Sequence, residues 1–253
     1  SLVAPMAGRG SRFLREGRAP PQPLIELEGR PFFWWAIESL RRVAPLREIV
    51  AVTLAEHERD FAISQRIRAF YPQAKIVALE QVTSGAAETA LQGLRALDGD
   101  GPVAVNDCDH AFRLAGAPAL IARLRDDADA ALVGFRSQSP AYSYVELGAP
   151  DADGAPLVRG TVEKRVVSPF AIAGCYFFAS PQRFEAAYRG FAESCPYDEL
   201  FVSGLYNVIA ARQGRVLFRE LARHVSFGTP EEMARVDAAQ LRATLAAEGG
   251  DAG

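Results

Sequence analysis

The chain has 253 residues, of which 49% are hydrophobic and 23% charged, with a formal net charge of −3. This length and composition are typical of one large globular α/β domain or two small ones with a buried core. Because there is no basic excess, a surface that coats nucleic acid is excluded.

The cysteines predict neither a disulfide framework nor a zinc site. Cys108, Cys175 and Cys195 lie far apart and form no C-x-x-C pair. Their odd number favours a reducing compartment. No apolar run reaches the roughly 20 residues of a membrane span, and no leader pattern precedes the first strand. We therefore expect a cytoplasmic protein without membrane contact, although a trimmed leader stays open.

Apolar runs alternate with amphipathic patterns through the first half of the chain. The runs predict strands at 2–6, 48–54, 75–79 and 102–106, and the patterns between them predict helices at 30–43, 56–70 and 84–97. Strands that are apolar on both faces and alternate with helices specify a doubly wound parallel sheet. In such sheets the loops after the strands share one crevice, where ligands bind.

The second half predicts strands at 130–135, 142–147, 156–162, 171–178 and 216–221, with helices at 181–192 and 199–212. Thr229 is predicted to cap a further helix, with Pro230 at its first position and Glu232 completing a capping box. The chain shows no repeat or linker, so we expect one domain over 1–253 whose tail, 248–253, is disordered.

The first strand runs into a loop with two glycines and interleaved arginines, Gly8-Arg9-Gly10-Ser11-Arg12. Glycines let backbone N–H groups approach a phosphate, and an arginine can bridge two phosphate oxygens. The pattern therefore indicates phosphate binding, while an ordinary glycine-rich turn is the alternative.

Two further loops contain residues suited to binding a ligand or a metal ion. After the strand at 75–79, the run from Glu80 to Thr89 opens a helix with small residues, which allows a ring or a phosphate close to the backbone; a simple cap by Thr83 or Ser84 is the alternative. After the strand at 102–106, Asp107 and Asp109 place two carboxylates at a buried strand end. Such oxygen ligands suit Mg²⁺, and a capping role is the alternative.

Together these motifs resemble the sugar-phosphate nucleotidyltransferases. Gly8-Arg9-Gly10-Ser11-Arg12 followed by Pro21-Gln22-Pro23-Leu24 is similar to that family's G-x-G-x-R loop and P-K-P-L element. The matches continue with Gly85-Ala86-Ala87 for the base loop, Asp109 for the metal aspartate, Glu163-Lys164 for the E-K pair, Gly174 with Tyr176 for the G-x-Y strand, and Gly228-Thr229-Pro230 for the G-T-P turn.

The resemblance implies a Rossmann-like α/β/α sandwich with a mixed, mostly parallel sheet, a nucleotide-binding half at 1–128 and an acceptor-binding half at 129–247. It implies a Mg²⁺-dependent reaction of a nucleoside triphosphate with a phosphorylated small molecule, such as a sugar 1-phosphate, that releases pyrophosphate. Membership of a subset from capsule and surface-glycan gene clusters is also implied, CTP is marginally favoured, and a homodimer stays open.

The resemblance also assigns residues to roles. The catalytic residues are Arg12, Asp109 and Lys164, and the metal ligands are Asp109 and Glu199. The acceptor-binding residues are Glu163, Gly174 and Tyr144. The nucleotide-binding residues are Ala7, Gly8, Gly10, Ser11, Gln22, Glu80, Gly85, Ala86 and Asp107.

Two departures from the family pattern keep other functions open. Gln22 replaces the loop lysine, and Ser226 stands where many relatives have a second metal aspartate, for which Asp198-Glu199 could substitute. A nucleotide-binding sensor without turnover is one alternative. A glycosyltransferase, whose D-x-D motif Asp107-Cys108-Asp109 imitates, is the other. A dinucleotide dehydrogenase is disfavoured because Phe13 replaces the third glycine of G-x-G-x-x-G.

Overall fold

The structure, a computed structural model, describes residues 1–14 and 20–246. Its strands in chain order are β1 (Leu2–Pro5), β2 (Glu26–Leu27), β3 (Arg30–Pro31), β4 (Ile49–Leu54), β5 (Lys75–Leu79), β6 (Val103–Asn106), β7 (His110–Arg113), β8 (Ala130–Arg136), β9 (Tyr144–Leu147), β10 (Val158–Val162), β11 (Phe170–Phe178), β12 (Val216–Glu220) and β13 (Arg223–Ser226).

The helices follow the same order. They are α1 (Ser11–Leu14), α2 (Phe32–Val43), α3 (Ala55–Phe61), α4 (Ile63–Phe70), α5 (Ala86–Leu94), α6 (Ala117–Asp126), α7 (Pro181–Ser194), α8 (Leu205–Ala211), α9 (Pro230–Ala234) and α10 (Ala238–Ala243). Short 3₁₀ turns cover Gln22–Leu24 and Val202–Gly204. None of the described helices is long and apolar enough to cross a membrane.

The central sheet is mixed, as predicted. β5, β4, β1 and β6 are parallel neighbours in that order. β11 continues the sheet antiparallel to β6 and pairs also with β8 and with the first residue of β9. β12 extends β8 in parallel, and β10 pairs antiparallel with β9. Within this sheet only β10 and β11 oppose the common direction.

Successive residues of β1 point to opposite faces of the sheet, and each face carries its own core. Leu2 and Ala4 belong to the core that packs on Phe33 of α2, while Val3 belongs to the core that packs on Leu91 of α5. Because both faces are buried, the strand has no polar side chains and reads as a continuous apolar run. The result is the predicted α/β/α sandwich.

A third, smaller core anchors the loop after β1. Phe13 is buried there, with its ring centroid 5.7 Å from that of Phe32, which lies 4.6 Å from that of Phe227. The residue at the place of a dehydrogenase's third glycine is thus a packing residue. It ties the glycine-rich loop to α2 and to the turn after β13.

Several predicted helix boundaries are wrong. The helix expected at 30–43 begins at Phe32, because Arg30 pairs with Leu27 across a tight turn whose central residues, Glu28 and Gly29, have φ of 50° and 73°. The helix expected at 56–70 is two helices, broken at Ala62, which has φ of 49°. The Glu58 carboxylate accepts hydrogen bonds from the Ser64 N–H and hydroxyl and so starts the second helix.

In the second half, the helix expected at 199–212 begins as the 3₁₀ turn at 202 and ends at Ala211, and the strands expected from 142 and 156 begin two residues later. The capping box at Thr229 and Glu232 is confirmed.

The sequence did not predict β7 and β13, which form a separate two-stranded sheet in which His110 pairs with Ser226. This small sheet brings the Asp109 loop beside the turn at Gly228.

Candidate active site

A cavity of about 380 Å³ opens at the carboxyl ends of β1 and β5. It is lined by Pro5, Ala7, Gly8, Val82, Thr83, Ser84, Gly85, Ala86, Thr89, Asp198 and Glu199. We call it the first cavity. Its walls come from two of the three loops that the parallel sheet was predicted to bring together, and their small residues expose the backbone.

The wall at Gly85 is fixed by a backbone clamp. The Leu200 N–H donates to the Ser84 carbonyl and the Ala87 N–H donates to the Leu200 carbonyl, both at 2.9 Å. Gly85 has φ of 152°, and a Cβ there would lie 2.5 Å from the Leu200 nitrogen. Only glycine therefore allows this approach.

The alternative of a side-chain cap by Thr83 or Ser84 is wrong. Gly85 is the N-cap of α5, and no side chain caps that helix. The Thr83 hydroxyl bonds instead to the Gly85 carbonyl at 2.9 Å, while the Ser84 N–H donates to the Glu88 carboxylate at 2.8 Å. The start of α5 is thus held by the loop's own contacts, and small residues remain on the cavity side.

A second cavity, of about 170 Å³, opens at the carboxyl end of β6. It is lined by Arg12, Asp107, Asp109, His110, Ala141, Tyr142, Ser143, Ile172, Ala173, Gly174, Tyr176, His224, Ser226, Gly228, Thr229 and Glu232. Gly8 lines the first cavity and Arg12 the second. The loop after β1 therefore borders both.

Carboxylates dominate the second cavity. Burial, the charge of Asp109 and the charge of Glu163 raise the pKa of Asp107 well above its usual value. Burial and Glu232 raise the pKa of Asp109, while Arg12 and a hydrogen bond from Gln22 oppose that rise. Neighbouring carboxylates that disfavour each other's ionisation are stabilised by a cation.

These residues fit a magnesium ion. Mg²⁺ prefers oxygen ligands and is commonly held by one or two carboxylates, with substrate phosphates and water completing its shell. Asp107 and Asp109 provide two such carboxylates. The described part of the chain contains no group of three or more His, Cys, Asp or Glu side chains that could hold a metal by itself.

Two hydrogen-bonded networks shape the rest of this cavity. The Glu163 carboxylate accepts from the hydroxyls of Ser143, at 2.5 Å, and Ser203. The Glu232 carboxylate accepts from the Tyr142 and Ser226 hydroxyls and from the Thr229 N–H. Glu232 is thus more than a capping residue, because it also fixes Tyr142 in the cavity wall.

Two histidines line the same cavity in their neutral form. Burial lowers the pKa of His110 to about 3 and lowers that of His224 well below its usual value. The Asn106 amide nitrogen donates to the Ala36 carbonyl, so the Asn106 oxygen is the atom that faces His110 Nε2, at 3.1 Å. His110 Nε2 must then carry the proton. Its ring forms part of a fixed polar wall.

The structure brings many of the predicted site residues to these cavities. Of the nucleotide-binding predictions, Ala7, Gly8, Gly85 and Ala86 line the first cavity, and Asp107 lines the second. Of the catalytic and acceptor-binding predictions, Arg12, Asp109 and Gly174 line the second cavity. Glu163 touches its wall through Ser143, and Gln22 reaches Asp109. Gly10 and Ser11 lie in the loop between the cavities without lining either.

Four predicted residues are placed elsewhere. Glu199 lines the first cavity rather than joining Asp109 in the second. Glu80 is exposed and lines neither cavity. The Lys164 ammonium lies 5.3 Å from the centroid of the Phe201 ring. Tyr144 is fully buried, and its hydroxyl donates to the Ser139 carbonyl at 2.8 Å. The neighbouring aromatic residues of the cavity are Tyr142 and Tyr176.

The arginines near the loop differ in where their charges lie. Arg9 pairs with Glu56 at 3.8 Å, and Arg30 lies 5.1 Å from the Trp34 ring. Arg15 and Arg18, which are also close to the loop in sequence, lie outside the described residues, as does the predicted disordered tail. Among residues 1–14 and 20–246, Arg12 is the arginine that lines the second cavity.

Sequence reasoning missed His110, Tyr142, His224 and Glu232 as cavity residues. A signal was available for Glu232, since the capping box puts its carboxylate beside the G-T-P turn. The other three had none, because their placement depends on the pairing of β7 with β13 and on the start of β9.

The fold and these two cavities define an α/β protein of the nucleotidyltransferase class. A family model described as the MobA-like NTP transferase domain matches residues 5–221. The chain belongs to this family and is a nucleotidyltransferase. The predicted resemblance to the sugar-phosphate nucleotidyltransferases is thus confirmed. A search of characterised proteins by sequence finds no significant match.

Solved structures share the fold. A nucleoside-diphosphate-sugar pyrophosphorylase from Vibrio cholerae has a TM-score of 0.77 at 24% identity, covering 96% of this chain and 100% of that one. A UDP-glucose pyrophosphorylase in complex with UDP-glucose has a TM-score of 0.73 at 17% identity, covering 96% and 97%. A UDP-glucose pyrophosphorylase from Acinetobacter baumannii has a TM-score of 0.66 at 17% identity, covering 92% and 90%.

Proposed function

We propose that this nucleotidyltransferase joins a nucleoside triphosphate to a phosphorylated small molecule with Mg²⁺ and releases pyrophosphate. The observation that carries the proposal is the loop after β1, which borders both cavities. A nucleotide in the first cavity would extend its phosphates along the loop amides toward Arg12 and Asp109. The acceptor would enter from the second cavity.

In this reaction a phosphate oxygen of the acceptor attacks the α-phosphorus in line, and the bond from that phosphorus to the bridging β-phosphate oxygen breaks. The protein contributes position and charge compensation rather than covalent chemistry. Arg12 and the loop amides would hold the triphosphate, and Asp109, with Asp107 beside it, would hold Mg²⁺. The ion supplies neutralisation of the charge on the phosphates.

On the acceptor side, Gly174 lines the cavity and Glu163 fixes Ser143, while Tyr142 and Tyr176 offer hydroxyls and ring faces. We propose that Lys164 steers the incoming phosphate. For this its ammonium has to leave the Phe201 ring, against which it lies at a distance of 5.3 Å. A flexible four-carbon side chain on an exposed turn allows that movement.

We propose CTP as the marginally favoured nucleotide, a preference that rests on the family resemblance and that two carboxylates of the first cavity fit. Asp198 and Glu199 line the first cavity, and their carboxylate oxygens accept hydrogen bonds. Cytosine presents an amino group at the position where uracil and thymine present an oxygen. Adenine and guanine also carry amino groups but are larger.

We propose that the protein makes precursors of surface polysaccharides in the cytoplasm. This proposal rests on the family resemblance, which leaves a homodimer open.

Pyrophosphate release tests the proposal. The protein is incubated with Mg²⁺, each nucleoside triphosphate and a panel of sugar 1-phosphates and phosphorylated amino alcohols. We expect release only with triphosphate, metal and acceptor together, and fastest with CTP. Nucleotide binding without pyrophosphate release for any acceptor would favour the sensor, and transfer from a nucleotide-sugar to an acceptor would favour the glycosyltransferase.

A further inference from the structure

Gln22 has a fixed position between the two cavities. It starts the 3₁₀ turn at 22–24, with a proline on each side, so its backbone has little freedom. Gly10 packs against it, since a Cβ on Gly10 would lie 3.1 Å from the Gln22 Cβ. The side chain therefore projects from a rigid base toward the carboxyl end of β6.

The Gln22 amide contacts the proposed metal carboxylate. Its Nε2 lies 3.0 Å from Asp109 Oδ2 and 3.4 Å from the Gly228 carbonyl oxygen. Both partners are acceptors, so the nitrogen and not the oxygen of the amide must face them, and its two hydrogens are both directed at them. The amide donors are thus used within the protein rather than offered to a phosphate.

We propose that Gln22 is a positioning residue for the Asp109 carboxylate and not a ligand of the triphosphate. It holds Oδ2 and leaves Oδ1 for the cation. Gly228 packs against the same oxygen, because a Cβ there would lie 2.5 Å from Oδ2. The inference rests on the proposed function, since it assigns Gln22 to the magnesium site of that reaction.

Charge explains why an amide suits this position. In this chain, whose residue 22 contacts Asp109 directly, a lysine would place a full positive charge at hydrogen-bond distance from that carboxylate and would compete with the cation for it. An amide orients the same oxygen and leaves the carboxylate charge for the metal. Ligands of a metal are commonly held in this way by neutral hydrogen-bond donors, and their loss weakens metal binding by about 10- to 100-fold.

The test separates metal binding from nucleotide binding. Mn²⁺ affinity is measured by electron paramagnetic resonance in the presence of a non-hydrolysable triphosphate analogue, and affinity for the same analogue is measured separately in EDTA. Gln22→Met keeps the length of the side chain and removes its donors. We expect Mn²⁺ affinity to fall about tenfold with unchanged metal-free analogue affinity. Gln22→Lys should weaken Mn²⁺ at least as much.

Gln182→Met is the matched control. The Gln182 amide donates to the Asp100 carboxylate at 2.5 Å, so this change removes the same kind of bond outside both cavities, and Mn²⁺ affinity should not change. Thermal melting verifies that each variant folds. If Gln22→Met is unstable, Gln22→Lys alone tests the inference. Mn²⁺ binding by Gln22→Lys that is as tight as in wild type, or tighter, would overturn it.

A failure of the positioning role and a failure of the proposed function give different results. If wild type binds Mn²⁺ and Gln22→Met binds it equally well, the positioning role is wrong and the proposed function stands. If Gln22→Met loses metal-free analogue affinity instead, Gln22 is a nucleotide ligand. If wild type binds no Mn²⁺, the magnesium site of the proposed function fails as well.

Discussion

The two cavities beside the loop after β1 are built differently. The first is walled largely by backbone and small side chains, and its shape depends on the clamp between Ser84, Ala87 and Leu200. The second is walled by carboxylates, imidazoles and hydroxyls, and the hydroxyls donate to the Glu163 and Glu232 carboxylates. A site made of backbone tolerates changes of side-chain chemistry but not of side-chain volume. A site made of buried charges tolerates changes of volume but not of charge or hydrogen bonding.

The largest effect is expected from Asp109→Asn. It removes one metal-ligand charge without changing volume, so pyrophosphate release should fall by at least about 10²-fold. Without metal the variant should melt no lower than wild type, because burial and Glu232 raise the pKa of Asp109 and disfavour its charge. Coupled pyrophosphate assays and thermal melts measure both quantities.

Asp107→Asn is the comparison for that change and should cost less activity, since the family resemblance assigns the metal to Asp109 and Asp107 only lies beside it. If the two variants are equally impaired, or if only Asp107 matters, the metal assignment is wrong and the D-x-D interpretation gains support.

Gly85→Ala tests the backbone-built cavity. The new Cβ would meet the Leu200 backbone at 2.5 Å, at a φ of 152°. We expect a loss of about 2 kcal/mol of unfolding free energy, which lowers the melting temperature by about 4–8 °C in a domain of this size.

The comparison variant is Gly8→Ala, in which the Cβ would meet nothing within 4 Å. It should melt like wild type yet bind triphosphate more weakly, because only a bound phosphate would touch the new methyl group. Equal stabilities for the two variants would contradict this account of the clamp.

Arg12→Lys tests the loop where the cavities meet. The charge remains but the two-pronged geometry is lost. The cost of one charge-assisted hydrogen bond, about 1.5 kcal/mol, corresponds to a roughly tenfold lower kcat/KM. Wild-type kinetics would mean that Arg12 does not contact the phosphates. Arg9→Lys, at the exposed pair with Glu56, serves as the control and should have little effect.

Acid stability tests the second cavity without measuring activity. Burial lowers the pKa of all three histidines, His57, His110 and His224, and that of His110 to about 3. A base with a depressed pKa in the folded state binds its proton only on unfolding. The free energy of unfolding should therefore fall below pH 6.5, by about 1.4 kcal/mol per pH unit for His110, whose folded pKa is about 3, and in the same direction for the other two.

Urea denaturation at pH 7, 6 and 5 measures this slope. His110→Gln should flatten it more than His57→Gln, since burial lowers the pKa of His110 to about 3, below the whole range measured. A slope that neither variant changes would mean that groups other than these histidines control acid unfolding.

The pattern of the sequence determined the sheet and the edge at which the site lies. Runs such as Leu2–Pro5 and Ile49–Leu54 are apolar because both faces of a parallel strand are buried, and this signal is local. Parallel strands then place their carboxyl ends together, so the glycine loop, the Gly85 turn and Asp109 were predicted at one edge. The capping box at Thr229 is equally local.

Only the tertiary structure decided which side chains meet. Gln22 and Asp109 are 87 positions apart, and no periodicity predicts their hydrogen bond. Glu199 lines the first cavity because Leu200 binds the Gly85 loop, and Tyr144 is buried because β9 begins there, so Tyr142 lies before the strand, in the loop beside the second cavity. Local patterns fix which face of an element is apolar. Long-range packing fixes what stands opposite that face, and so determines the site.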